Sequence, residues 1–319
     1  PEFGVMQTRL MMEIFSDKQM KDAYETCIEK GKYKKWIPEH LAAPPKDLVI
    51  SVAGHYSFTS EPFKSSIEKI KEGLKRMHTI LVTGGTGMVG SACKAVASGA
   101  EFITRQQFHD LSYDIKNKYI IHLAAKVGGV KANTDYIADF YHENAAINQK
   151  ILHYAHVGGA KKVVSLLSTC VYPDAAYIDY PLTEDQLHLG PPHDSNFGYA
   201  YSKRMVDVMS RAYRQQHGCN FITAIPNNLY GENDNFDLEN SHVIPALIRK
   251  VWEAKINKDD YVSCWGNGSP LREFTYSKDI AKILLFLLKE YNESGPINIG
   301  NTDEYSIKDV VEIICEFLQ

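Results

Sequence analysis

Tyr199 and Lys203 stand four residues apart, as Y-x-x-x-K. That spacing puts both side chains on one face of a helix. A free phenol titrates near 10, too high for acid–base work at neutral pH; an ammonium beside it favours the phenolate and lowers that value. Lys203 is also long enough to reach a ribose hydroxyl. Ser168 and Cys170 lie upstream in Leu-Ser-Thr-Cys, where a serine can hydrogen-bond a substrate carbonyl. The cysteine reads two ways: as a small buried hydrophobe, or as a thiolate base at a cleft edge. From its neighbours alone, His242 reads as a capping or surface histidine.

These groups need a frame, and the glycines indicate which. Gly84, Gly87 and Gly90 are spaced G-x-x-G-x-x-G, directly after the apolar run HTILVTG and ahead of a predicted helix. Glycines permit a tight turn and close backbone approach to a pyrophosphate, and the helix N-terminus supplies unpaired N–H groups. A strand–turn–helix carrying this pattern predicts a dinucleotide site. Forms that bind NAD usually place Asp or Glu after the second strand to hold the ribose 2′-hydroxyl. Here GAEFIT (residues 99–104) is followed by Arg105. A cation there suits the 2′-phosphate of NADP(H); a solvated surface arginine is the alternative.

IIHLAA (120–125), KVVSLLS (162–168) and FITAIP (221–226) read as further buried strands, with predicted helices at 138–157 and 200–217 between them. Continuous apolar strands alternating with helices indicate an α/β, doubly wound parallel sheet of Rossmann type. Ser168 and Cys170 then fall at a strand's carboxyl end, where such sheets bind ligands. Farther on, Arg249 and Lys250 could meet a diphosphate, Trp265 could stack on a base or sugar, and Arg272 could clamp a phosphate. Residues 77–319 are thus expected to form an NADP-binding domain with a smaller C-terminal substrate region, mainly 227–319. Residues 1–76 are an unassigned N-terminal extension. Within it, a helix capped by Ser16 and ended at Gly31, a strand LVISV (48–52) and a helix over 62–76 are predicted.

Composition narrows the class. The chain has 319 residues, a net charge of −4, and six cysteines without a C-x-x-C pair. No broad basic field argues for nucleic acid, and no apolar run approaches the roughly 18 residues of a membrane span. The scattered cysteines predict free thiols in a reducing, cytosolic setting, with no metal site.

TGGTGMVGSA, HLAAKVGGVKAN, LSTCVYP, FGYAYSKRM, IPNNLYGENDNF, SHVIPALIRK and WGNGSPLREF together carry a resemblance. From Met77 to Gln319 the sequence resembles the GDP-L-fucose synthase family of extended short-chain dehydrogenase/reductases, the GDP-4-keto-6-deoxy-D-mannose 3,5-epimerase/4-reductases. The resemblance implies that Cys170 is the base at C3 and C5 of the ketosugar and His242 the acid on the opposite face. Tyr199, assisted by Ser168 and Lys203, would protonate the C4 oxygen during reduction. It further implies NADP(H) contacts at Gly84, Gly87, Met88, Val89, Gly90, Arg105, Ala124, Ala125, Lys203, Asn227, Asn228, Leu229 and His242. Lys250, Trp265 and Arg272 match substrate positions, for a GDP-sugar. A homodimer through helices 138–157 and 200–217 is implied as well. The sequence departs from the family pattern in three places: in residues 1–76, in the short segment from Arg105 to Tyr119, and in the further strand and closing helix that the family carries beyond position 319. Two other readings stay open: a related nucleotide-sugar epimerase or dehydratase, and an inactive cofactor-binding subunit.

Overall fold

A computed structural model describes residues 48–51, 56–58 and 80–318, apart from 98, 105, 106 and 108–112. In chain order the strands are β1 (Leu48–Ser51), β2 (Tyr56–Phe58), β3 (Ile80–Thr83), β4 (Glu101–Ile103), β5 (Tyr119–His122), β6 (Lys162–Leu166), β7 (Phe221–Pro226), β8 (Asn228–Tyr230), β9 (Leu271–Tyr276), β10 (Pro296–Gly300) and β11 (Glu304–Ser306). The helices are α1 (Met88–Val96), α2 (Val130–Asp135), α3 (Ile137–Val157), α4 (Phe197–His217), α5 (Val243–Asn257), α6 (Ser277–Glu290) and α7 (Ile307–Leu318).

The main sheet runs β2-β1-β10-β7-β6-β5-β3-β4. The six strands from β10 to β4 are parallel, while β1 joins β10 antiparallel. Val82 lies opposite Phe102 and Ile121, and Val164 opposite Ile121 and Ile222. Every residue of β3 and β7 is buried, as strands covered on both faces require. Alternate residues of one strand feed opposite faces. Ile80 and Val82 pack with Cys93 of α1 and with Ile280, Leu284 and Leu287 of α6. Leu81 packs with Ile151 and Leu152 of α3 and Val206 of α4. The sheet is therefore doubly wound, as the alternating pattern predicts. A second, three-stranded sheet, β11-β9-β8, joins α5 and α7 around Tyr230, Ile244, Ile248, Phe274 and Ile314.

Boundaries differ from the sequence expectation for physical reasons. β5 stops at His122 instead of running to Ala125, because Thr83 Oγ1 accepts the N–H groups of both Leu123 and Ala124, at 3.1 Å each. β6 stops at Leu166, and Thr169–Val171 winds into a short 3₁₀ turn. α4 starts three residues earlier than the predicted 200, so Tyr199 falls in its first turn. LVISV is a strand over Leu48–Ser51. The helices expected around 16–31 and 62–76 lie outside the described residues.

Candidate functional site

The carboxyl ends of β3, β5, β6 and β7 open on one edge of the sheet, and each leads into one part of the site. β3 leads into the glycine loop. Gly84 has φ +75°, and a Cβ there would lie 2.7 Å from Ala124 N. The Gly87 N–H closes the turn onto Gly84 O at 3.2 Å. A Cβ on Gly90 would sit 2.3 Å from Gly84 O and 2.6 Å from Gly85 Cα. No side chain caps α1 after Gly87, so the first-turn N–H groups of Met88, Val89 and Gly90 face the loop mouth. This cradle fits a dinucleotide diphosphate. Gly90→Ala should push the loop off the helix at a cost of about 1–3 kcal/mol, weakening NADPH binding about tenfold to a hundredfold; titration of NADPH fluorescence measures it. Ala124 abuts this loop and Ala125 follows it, both partly buried. Arg105 lies outside the described residues.

A buried polar chain ties this loop to α4. Thr83 accepts two backbone N–H groups, so its one hydroxyl hydrogen goes to His122 Nδ1, 2.8 Å away. His122 Nε2 then donates to Asn148 Oδ1 at 3.0 Å, and Asn148 Nδ2 donates to Ser202 O at 3.0 Å. Every donor meets an acceptor. His122 is held neutral, its pKa pushed down to about 3 by burial and then by the Lys203 charge. The chain ends one residue before Lys203.

β6 and α4 bring Ser168, Cys170, Tyr199 and Lys203 together. The Cys170 thiol donates to Ser168 Oγ at 3.2 Å. Lys203 is 3% exposed; its Nζ donates to Leu166 O at 3.0 Å and lies 5.9 Å from the centre of the Tyr199 ring. Phe140 packs edge-on against that ring. The electrostatics correct the sequence expectation for Tyr199. Its pKa is raised, first by burial and then by the Cys170 charge, and Lys203 is lowered to about 8 by burial. Desolvation dominates, so the phenol keeps its proton at neutral pH. Burial also raises the Cys170 thiol; the Ser168 hydroxyl and the Lys203 charge pull the other way. Arg204 Nε and Nη2 both donate to Val171 O, at 2.8 and 2.6 Å, which anchors the residue after Cys170.

His242 stands at the start of α5. It occupies the N-cap position without capping the helix, and its side chain is 49% exposed. The preceding residues lock onto the loop after β5: the Gly129 N–H donates to Asn240 O at 3.0 Å, and a Cβ on Gly129 would lie 2.7 Å from Ser241 O. Asp234 Oδ1 lies 3.9 Å from His242 Nδ1; this aspartate carries no motif signal in the sequence.

The remaining expected residues divide. Asn227 is engaged inside the protein: it accepts from Thr275 Oγ1 at 2.7 Å and donates to Asn301 O at 2.7 Å. Asn228 donates to Glu273 O at 3.0 Å, and Leu229 packs on the core. Their side chains stitch β7 to β9 and β10, which leaves backbone for a cofactor contact. Lys250 sits 5.5 Å over the Trp265 ring and donates to Ser263 O at 3.2 Å, with Trp265 79% exposed. Arg272 is exposed and folded back on Leu271 O. Arg249, expected to meet a diphosphate, instead pairs with Glu253 at 2.7 Å and donates to Phe236 O at 3.0 Å.

The sequence and fold are similar to those of known proteins. The profile of the NAD dependent epimerase/dehydratase family matches residues 80–300. A GDP-L-fucose synthase from Dictyostelium discoideum is 41% identical over 258 residues, covering 76% of this chain and 80% of that protein. A GDP-L-fucose synthase from Sinorhizobium fredii is 41% identical over 249 residues, 74% of this chain and 78% of its own. The crystal structure of a GDP-L-fucose synthetase from Naegleria fowleri bound to NADP aligns with a TM-score of 0.68 at 38% identity, covering 75% of this chain and 77% of that one. With glycine cradle, Tyr–Lys helix and relatives in agreement, this chain belongs to the NAD dependent epimerase/dehydratase family and, within it, to the GDP-L-fucose synthases.

Proposed function

We propose that the chain converts GDP-4-keto-6-deoxy-D-mannose to GDP-L-fucose by 3,5-epimerisation followed by NADPH-dependent 4-reduction. The observation that carries this reading is Cys170 held beside the Tyr199–Lys203 pair, a base and a proton donor at one strand end. The 4-keto group acidifies the protons at C3 and C5, because their removal gives an enolate. Cys170, as thiolate, takes each proton, with the Ser168 hydroxyl turned to donate to the sulfur. His242 returns a proton from the opposite face. Tyr199 then gives its phenolic proton to the C4 oxygen, and Lys203 steadies the resulting phenolate. The glycine cradle of Gly84, Gly87 and Gly90 would hold NADPH, which when bound would supply the hydride for C4.

We assign residues 77–319 to the cofactor domain and its substrate region, the latter mainly 227–319; the core around Tyr230 and Ile314 supports that division. Lys250, Trp265 and Arg272 are the proposed GDP-sugar contacts, and Trp265 and Arg272 are exposed for the purpose. A cytosolic homodimer through α3 and α4 completes the proposal. Tyr141, Tyr201 and Val208 leave exposed apolar surface on those helices, and Cys93, Cys170, Cys219, Cys264 and Cys315 are free thiols. Among the described residues no helix is long and apolar enough to cross a membrane, and no cluster fits a metal ion.

The test is direct. The chain is incubated with GDP-4-keto-6-deoxymannose and NADPH in D₂O, with absorbance following NADPH and mass spectrometry following deuterium in the sugar. Both NADPH oxidation and two-site deuterium uptake are expected. Absence of both overturns the reading.

A further inference from the structure

Asp234 lies in the loop between β8 and α5, just after Asn233, whose φ is +65°. Its side chain is 6% exposed. Oδ1 accepts the Asn235 N–H at 2.7 Å and sits 3.9 Å from His242 Nδ1. Oδ2 is fully buried and has no donor among the described residues. A buried carboxylate with an oxygen lacking a donor is costly to keep, and the imidazole facing this carboxyl group, across its other oxygen Oδ1, is that of His242. The ring can turn toward the carboxyl group, because His242 does not cap α5. With Nδ1 facing Asp234, Nε2 lies across the ring and points away from it.

We propose that Asp234 is a positioning residue for His242, holding the imidazole through Nδ1–H so that Nε2 is the nitrogen that delivers the proton. This rests on the reading of His242 as the acid of the epimerisation. A carboxylate beside an imidazole fixes its tautomer and stabilises the imidazolium. A small side-chain rotation, closing the gap by about 1 Å, brings Nδ1 within hydrogen-bond distance of Oδ1. In the step itself the enolate electron pair forms the new C–H bond and the Nε2–H bond breaks. His242 is left neutral, keeping the hydrogen on Nδ1 that it donates to Asp234. The proton removed from the other face resides on Cys170 and passes to solvent as Nε2 takes one up from solvent, which resets both groups for the second carbon.

Solvent deuterium exchange into GDP-4-keto-6-deoxymannose, measured on the full chain, tests this. The isosteric Asp234→Asn is expected to slow exchange about tenfold to a hundredfold, through kcat rather than KM, with NADPH titration within about twofold of the parent. Asp234→Glu keeps the carboxylate and should regain part of the rate. The deciding measurement is the cycle with His242→Asn. If Asp234 acts through His242, the double variant is no slower than His242→Asn alone; a merely structural role would multiply the two losses. Multiplied losses, or an Asp234→Asn variant exchanging at the parent rate, overturn the inference and leave the functional reading standing. A parent chain that fails to exchange overturns both.

Discussion

Cys170→Ser should lose about a thousandfold in solvent deuterium uptake into the ketosugar while NADPH binding stays within about twofold. General-base catalysis contributes roughly 10²–10⁴, and a serine hydroxyl at the same point is far too weak an acid to be poised as its anion. The glycine loop and the Thr83–His122 bond lie on other strands, so the cofactor site is untouched by the change. NADPH oxidation should fall along with exchange, since reduction follows epimerisation. Burial raises the Cys170 thiol, so the exchange rate of the parent chain should climb with pH as the thiolate fraction grows. Mass spectrometry of the sugar after incubation in D₂O measures both effects. An equal loss of NADPH binding and exchange would show Cys170 to be a packing residue.

The complementary result is expected from Tyr199→Phe. Removing the phenolic hydroxyl takes away the proton donor for C4, and hydride transfer should slow by about 10²–10⁴, read as single-turnover NADPH absorbance. Deuterium exchange should persist within a few-fold, because Cys170, Ser168 and His242 remain. The ring itself stays packed edge-on against Phe140, so the fold should tolerate the change. In the parent chain Lys203 loses its proton near pH 8, lowered by burial, and above that pH its support for the phenolate disappears. The two variants thus separate epimerisation from reduction. Parallel loss of both activities in Tyr199→Phe would refute the division of labour.

Much of this was legible in the residues. The strand–glycine–helix order located the cradle, because only glycine tolerates φ +75° at position 84 or a 2.3 Å approach at position 90. The i, i+4 spacing put Tyr199 and Lys203 on one helix face. What spacing does not carry is solvent exclusion. The ammonium was expected to lower the Tyr199 phenol, whereas burial raises it. The pairing of Arg249 with Glu253, one helical turn on, is the kind of contact a motif does not show. Asp234 gave no sign of function, since its pairing with His242 across eight positions depends on how the loop folds. The His122–Asn148 link, 26 residues apart in sequence, is invisible to any local pattern.

That link also governs how the protein meets acid. His122 is 2% exposed and stays neutral down to a pH of about 3, whereas in an unfolded chain a histidine takes up a proton near 6.5. Between those values the unfolded state binds the extra proton, so stability present above 6.5 drains away as pH falls. A protonated ring would also put a hydrogen on Nδ1 against the Thr83 hydroxyl. Acid therefore weakens the fold through the residue that joins the cofactor loop to the helix bearing Tyr199.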